Sequence, residues 1–198
     1  MQVELVRSVR AALKSNSCIW TYFVSELQHT AYSDIKTLKK SRINLGNAWE
    51  TFCQEYLRIK GYKAYRLGEA SSELLSKYKL TKLDRGIDII AFDPQGDPCA
   101  VQCKFRRKGK VSWRELSTFE ALCARSGPWN RHIVMTNAPG VKREGQPQVC
   151  DMTMSSKTFS AMRRHEWEIL AGFGSGHRLG GVSDSSPTSA RLEYFSKI

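Results

Sequence analysis

The feature that most constrains this chain is a pair of short apolar runs joined by a tight turn. Residues 86–92 (Gly86-Ile87-Asp88-Ile89-Ile90-Ala91-Phe92) and 98–105 (Pro98-Cys99-Ala100-Val101-Gln102-Cys103-Lys104-Phe105) are both rich in strand formers. Between them, Asp93-Pro94-Gln95-Gly96 has Asp first, Pro second and Gly fourth, the preferences of a type I turn. A β-hairpin is therefore expected, with Asp88 opposite Gln102, give or take one residue. Alternation puts Gln102 and Lys104 on one face and Val101, Cys103 and Phe105 on the other. A carboxylate, an amide and an amine then converge on strands that are otherwise apolar. Packing has no use for that cluster, whereas a metal ion and a phosphate would explain it.

Charge narrows the partner. The 198 residues include 31 Lys and Arg against 19 Asp and Glu, a formal net charge of +12, which favours a polyanion. Hydrophobic residues make up 41%, ordinary for a globular protein with a proper core. No run approaches the roughly 18 apolar residues of a membrane span. Six cysteines, at positions 18, 53, 99, 103, 123 and 150, include no Cys-x-x-Cys pair, which argues against a zinc ribbon. Cys99 and Cys103 fall on the strand face opposite Gln102 and Lys104 and suit buried free thiols. A reducing compartment, cytoplasmic or nuclear, is expected. Met1-Gln2-Val3-Glu4-Leu5-Val6-Arg7 lacks a secretory apolar core. Arg7, Arg10 and Lys14 leave a mitochondrial presequence open, although Glu4 and the short length argue against it.

Along the chain, residues 1–42 read as a helical extension, 43–170 as the main domain and 171–198 as a Gly- and Ser-rich tail. Val3, Val6, Val9 and Leu13 share a helical face, and Ser15-Asn16-Ser17 offers a break and a cap. A second helix over 18–28 points Trp20, Phe23, Val24 and Leu27 at the core. Ser33-Asp34 caps a third, short helix to residue 40. This extension is expected to pack on the core; dimerisation, or DNA contact through Lys39, Lys40 and Arg42, are the other readings.

A core helix over 45–60 ends at Gly61 as its C′ residue, and residues 62–67 alternate as the first strand. A short helix is expected over 73–78. Ser112 caps a helix over 113–124 with Glu115 in its first turn. Residues 131–137 read as a buried strand parallel to the one carrying Gln102, reached by that crossover helix. A last helix is expected over 156–170.

These residues resemble the PD-(D/E)xK nucleases, in the version of the Mrr-like type IV restriction endonucleases. That version has a helix with Gly-x-x-aromatic-Glu, then a Gly-x-Asp strand, then a Gln-x-Lys strand. Here stand, in the same order, Gly46-Asn47-Ala48-Trp49-Glu50, Gly86-Ile87-Asp88 and Gln102-Cys103-Lys104. The resemblance spans residues 46–137, under half the chain. It implies a three-layer α/β restriction-endonuclease-like core, a small mixed sheet flanked by helices, with the helical N-terminal extension added. It also implies Mg²⁺-dependent hydrolysis of DNA, with Mn²⁺ as a substitute.

Asp88 would be the central metal ligand, with the Cys103 main-chain carbonyl, Gln102 and Glu50 completing the set. Gln102 replaces the more usual second acid, and Glu50 would restore the missing charge. Lys104 would orient the nucleophile and offset developing charge. Asp84 is the other candidate ligand; Asp88 is preferred because it lies inside the apolar run. Asp93 and Asp97 lie on the order of 15 Å from the site and are explained by turn chemistry.

Directly beyond Lys104, Arg106, Arg107, Lys108 and Lys110, with Arg114, form a basic segment suited to phosphate-backbone contacts. His132 and His165 lack partners at ligand spacing, and packing is the default for Trp113 and Trp129. A binding or assembly subunit without turnover, and a four-way-junction resolvase, are the alternatives to a restriction-like endonuclease. A homodimer or a larger nucleic-acid-processing assembly remains open, and no membrane partner is expected.

Overall fold

The computed structural model describes residues 2–15, 18–32, 38–142 and 150–172. The caps expected at Asn16-Ser17 and Ser33-Asp34, and the tail from residue 173, lie outside them. Among the described residues the sheet has five strands in sequence order, β1 (Lys63–Arg66), β2 (Ile89–Phe92), β3 (Pro98–Lys104), β4 (Arg131–Thr136) and β5 (Met152–Met154). The pairs β1/β2 and β2/β3 are antiparallel, and β3/β4 and β4/β5 parallel. This is the mixed sheet of the expected α/β class.

Among the described residues, seven α-helices complete the architecture: α1 (Gln2–Lys14), α2 (Ile19–Tyr32), α3 (Leu38–Ile59), α4 (Ser72–Lys77), α5 (Ser117–Arg125), α6 (Ser156–Ser160) and α7 (Arg164–Gly172). On one side of the sheet, Val101, Cys103, Ile133 and Met135 pack against Val9 of α1, Phe23 of α2, Trp49 and Phe52 of α3, Phe159 of α6 and Trp167 of α7. Their rings interlock; Trp49 and Phe52 stack at 5.1 Å and Phe23 meets Trp167 at 5.3 Å. On the other side, Ile90, Ala100 and Val134 pack against Leu75 of α4 and Phe119 and Leu122 of α5. The alternation read from the hairpin is thus the partition between two cores.

The first two helices therefore cover the sheet together with α3. Leu5, Val6, Val9 and Ala12 are buried on α1, and Trp20, Phe23 and Leu27 on α2. One expectation needs correction here. The short helix to residue 40 and the core helix from residue 45 are one element, α3, which runs through position 42 without a break. Nothing at 41–44 (Ser-Arg-Ile-Asn) forbids helical backbone. The helix stops at Gly61, whose φ of +87° suits glycine. Gly61 N–H donates to Arg58 O and Tyr62 N–H to Leu57 O, both at 3.0 Å, closing a Schellman motif.

The hairpin turn closes with Gly96 N–H on Asp93 O at 2.9 Å, and the Asp93 carboxylate accepts from the main-chain N–H of Gln95 and Asp97. The crossover helix begins later than expected. Trp113–Glu115 form a single 3₁₀ turn under a Ser112/Glu115 capping box, and α5 follows from Ser117. The last helix divides into α6 and α7 between Ser160 and Arg164, and the short β5 was not anticipated. Among the described residues, no helix is long and apolar enough to cross a membrane.

Candidate active site

Asp88 stands immediately before β2 and is fixed on both flanks. Its N–H donates to Val101 O at 2.9 Å, and its carbonyl accepts from Leu67 N–H at 2.8 Å. The register Ile89↔Val101 carries it opposite Gln102, as the turn required. What aims the strand here is Gly86, at φ +124°. A Cβ on it would lie 2.7 Å from the Thr118 carbonyl of α5, so only glycine lets the chain pass the helix this closely.

The Asp88 carboxylate accepts from the Cys103 main-chain N–H at 2.7 Å and from the Gln102 side-chain amide. The same amide nitrogen faces the Cys103 carbonyl at 3.4 Å. One Asp88 oxygen, one main-chain carbonyl and the Gln102 amide therefore converge on a single point. Glu50 lies on α3 near enough for the Asp88 and Lys104 charges to act on it, and Glu50, Asp88 and Lys104 are all partly buried. Burial, reinforced by the nearby Asp88 charge and opposed by Arg66 and Lys104, pushes Glu50 up to about 7. Burial likewise raises Asp88 to about 6, against the pull of the Cys103 N–H, Lys104 and Gln102. Two desolvated carboxylates near each other with elevated pKa values are short of positive charge.

That deficit, with the chemistry of the donors, fits a hard divalent cation. Asp88, Glu50, the Cys103 carbonyl and the Gln102 amide are oxygen donors of the kind Mg²⁺ and Mn²⁺ prefer. The Gln102 nitrogen stands where it bonds two of those oxygens. A half-turn of the amide would present its oxygen there instead. Among the described residues, no group of three or more His, Cys, Asp or Glu side chains could hold a metal. The fit therefore depends on the carbonyl and the amide as well as the two acids.

The other candidates sort by their partners. Asp84 is not near this cluster's bonds. Its carboxylate accepts from Thr81 N–H at 2.6 Å and Thr81 Oγ1 at 3.0 Å, and pairs with Arg125 at 2.5 Å. The Asp93 carboxylate serves the hairpin turn, as expected, while that of Asp97 accepts from the Asn130 side-chain amide at 3.1 Å. In the basic segment, Lys108, Lys110 and Arg114 are exposed, and so is Arg107. Arg106 is committed: its guanidinium pairs with Glu115, and Asn137 clasps its main-chain N–H and carbonyl at 2.6 and 2.7 Å. His132 lies beside Asp151 at 3.6 Å and edge-on to Phe119, His165 is exposed, and Trp129 stacks on Tyr78 at 4.7 Å.

Sequence reading missed Arg66 and Asn137. Arg66 bonds Thr51, the neighbour of Glu50 on α3, and Asn137 holds the main chain of Arg106 just past the last β3/β4 pair, Lys104↔Thr136. Neither belongs to a motif; only the strand alternation of residues 62–67 placed Arg66 near a strand end.

Five of the six cysteines are buried, and all six are free thiols. No curated protein and no solved structure matches the chain. Residues 69–163 match the model of a restriction endonuclease family, of the Mrr catalytic type. The match takes in Asp88, Gln102, Lys104 and the basic segment, and begins after α3 with its Glu50. Over residues 69–163, just under half of its length, the chain is thus similar to a restriction endonuclease family, consistent with an Mrr-like, restriction-endonuclease-like fold.

Proposed function

We propose that the protein is a metal-dependent DNA endonuclease. The observation that carries the reading is the pair of part-buried carboxylates, Glu50 and Asp88, both raised by desolvation and set beside Lys104 at the sheet end that leads into the basic segment. A bound Mg²⁺ or Mn²⁺ would supply Lewis acidity, favouring hydroxide formation from water and drawing charge off the phosphate. Asp88 and the Cys103 carbonyl hold it, with Glu50 and Gln102 completing the donors. Lys104 orients the nucleophile and offsets charge on the phosphate being cleaved. Arg107, Lys108, Lys110 and Arg114 hold the backbone without reading bases, and Arg106 shapes the turn that presents them.

A binding subunit without turnover is the second reading. Its support is the Gln102 amide, which bonds Asp88 directly and adds no charge to the site. Supercoiled plasmid, linear duplex, single-stranded and four-way-junction DNA, each with Mg²⁺ or Mn²⁺ and an EDTA control, separate these readings. Metal-dependent nicking or linearisation is expected on duplex. Paired symmetrical cuts confined to the junction would indicate a dimeric resolvase. Tight, salt-sensitive binding with no cutting of any substrate would favour the binding subunit.

A further inference from the structure

Three residues along one flank of α3 bond to the end of the edge strand β1. Thr51 Oγ1 accepts from Arg66 Nη1 at 2.9 Å. Gln54 donates to Ala64 O at 3.2 Å and to Glu69 at 3.1 Å, and Arg58 donates to Ala64 O at 2.9 Å. The second prong of the Arg66 guanidinium pairs with Glu69. One residue on, Leu67 N–H donates to Asp88 O at 2.8 Å. Arg66 itself pairs in register with Ile89, the neighbour of Asp88.

A continuous path therefore runs from Glu50 through Thr51, Arg66 and Leu67 to Asp88. It joins the helix that carries one acid to the strand that carries the other. Its side-chain link is the bond between Thr51 Oγ1 and the Arg66 guanidinium, and Arg66 is 18% exposed. The Arg66 Nε is buried with no hydrogen-bond partner among the described residues. Leaving a buried donor unpaired costs stability, so stability alone is a poor reason for an arginine here.

We propose that Arg66 is a positioning residue for the nuclease reaction. Its two-pronged guanidinium, anchored by Glu69, clamps Thr51 and so sets the spacing between the Glu50 and Asp88 carboxylates. This rests on the metal-dependent reading above and extends it to a residue outside the helix, Asp-strand and Gln-x-Lys set. The planar fork matters as much as the charge, because a lysine ammonium cannot hold a hydroxyl and a carboxylate in one fixed geometry.

Arg66→Lys keeps the charge and loses the fork, and Thr51→Val removes the acceptor with no change of charge. Both are compared with wild type by thermal melting, by calorimetric titration with Mn²⁺ without DNA, and by kcat and KM on duplex. Arg66→Lys is expected to stay folded and bind Mn²⁺ about 5- to 10-fold more weakly. Its kcat should fall by about 10- to 100-fold with KM unchanged, as for a misplacement near 1 Å. Thr51→Val should move the same quantities in the same direction by less.

Unchanged Mn²⁺ affinity with a raised KM in Arg66→Lys would make Arg66 a phosphate contact and overturn the proposal. So would wild-type behaviour in both variants, or a loss of melting temperature alone. If wild type itself neither binds Mn²⁺ nor cuts DNA, the nuclease reading fails and takes this one with it. If wild type does both and the variants match it, only the role of Arg66 is lost.

Discussion

Asp84 and Asp88 lie four residues apart on one segment and live in opposite electrostatic worlds. Burial alone would raise Asp84, but two hydrogen bonds from Thr81 and the Arg125 guanidinium outweigh it and hold the carboxyl below its ordinary value. Its side chain is 12% exposed, and every bond it makes also pins the loop before β2 to itself or to α5. Asp88 has two donors and a nearby lysine, yet burial wins and its pKa rises to about 6. A satisfied acid belongs to the fold; one left short of positive charge in a dry strand end is available for chemistry. From sequence the two were rival ligands, and what separates them is partners rather than position.

Exchanging each acid for its amide should break the comparison most sharply. Asp88→Asn is expected to lower the cleavage rate at least about 1000-fold, since it removes the central charged ligand. DNA affinity, measured in Ca²⁺ to prevent turnover, should stay near wild type. Next in size, Lys104→Met should cost about 100- to 1000-fold in kcat with little change in KM, read from single-turnover cleavage.

Stability should respond with opposite signs. The Asp84 pKa is depressed in the fold, so its contribution is present above the unfolded value and lost as pH falls through the folded one. Asp84→Ala is therefore expected to cost about 1–3 kcal/mol at pH 7 by denaturant unfolding, with the gap closing toward pH 3. Glu50 and Asp88 are raised, to about 7 and about 6. Their contribution is present below the unfolded value near about 4 and is lost as pH rises through those folded values. Glu50→Gln should accordingly melt higher than wild type at pH 8, by a few degrees, and much closer to it at pH 5. An unchanged difference between the two pH values would mean that Glu50 is not desolvated. The smallest effect per residue is expected at the rim. Replacing Lys108, Lys110 and Arg114 together by Ala should weaken binding alike across sequences and flatten the log–log salt slope by about 2–3 units.

What the sequence made legible was local. The turn at Asp93-Pro94-Gln95-Gly96 and the alternation on either side sufficed to set Asp88 against Gln102. Alternation also separated Val101 and Cys103 from Gln102 and Lys104, now seen as two cores. The Ser112/Glu115 cap and the parallel pairing of β3 with β4 followed from a cap signal and a crossover of ordinary length. The failures have a common physical origin. The pairing of Arg66 with Thr51 spans 15 residues, and the Asn137 clasp on Arg106 spans 31, so neither leaves a periodic trace. Likewise, Glu115, whose carboxylate pairs with the Arg106 guanidinium, looked like a cap alone. The missed continuity of α3 has a different origin: no residue between Leu38 and Leu45 ends a helix, and the expected break had no stop signal behind it.

The most direct test of the central claim is plasmid cleavage by wild type, Asp84→Asn and Asp88→Asn, side by side in Mn²⁺. Wild type and Asp84→Asn should cut within a few-fold of each other while Asp88→Asn shows no cutting, with all three inactive in EDTA. Cutting retained by Asp88→Asn, or lost only in Asp84→Asn, would contradict the assignment of the site.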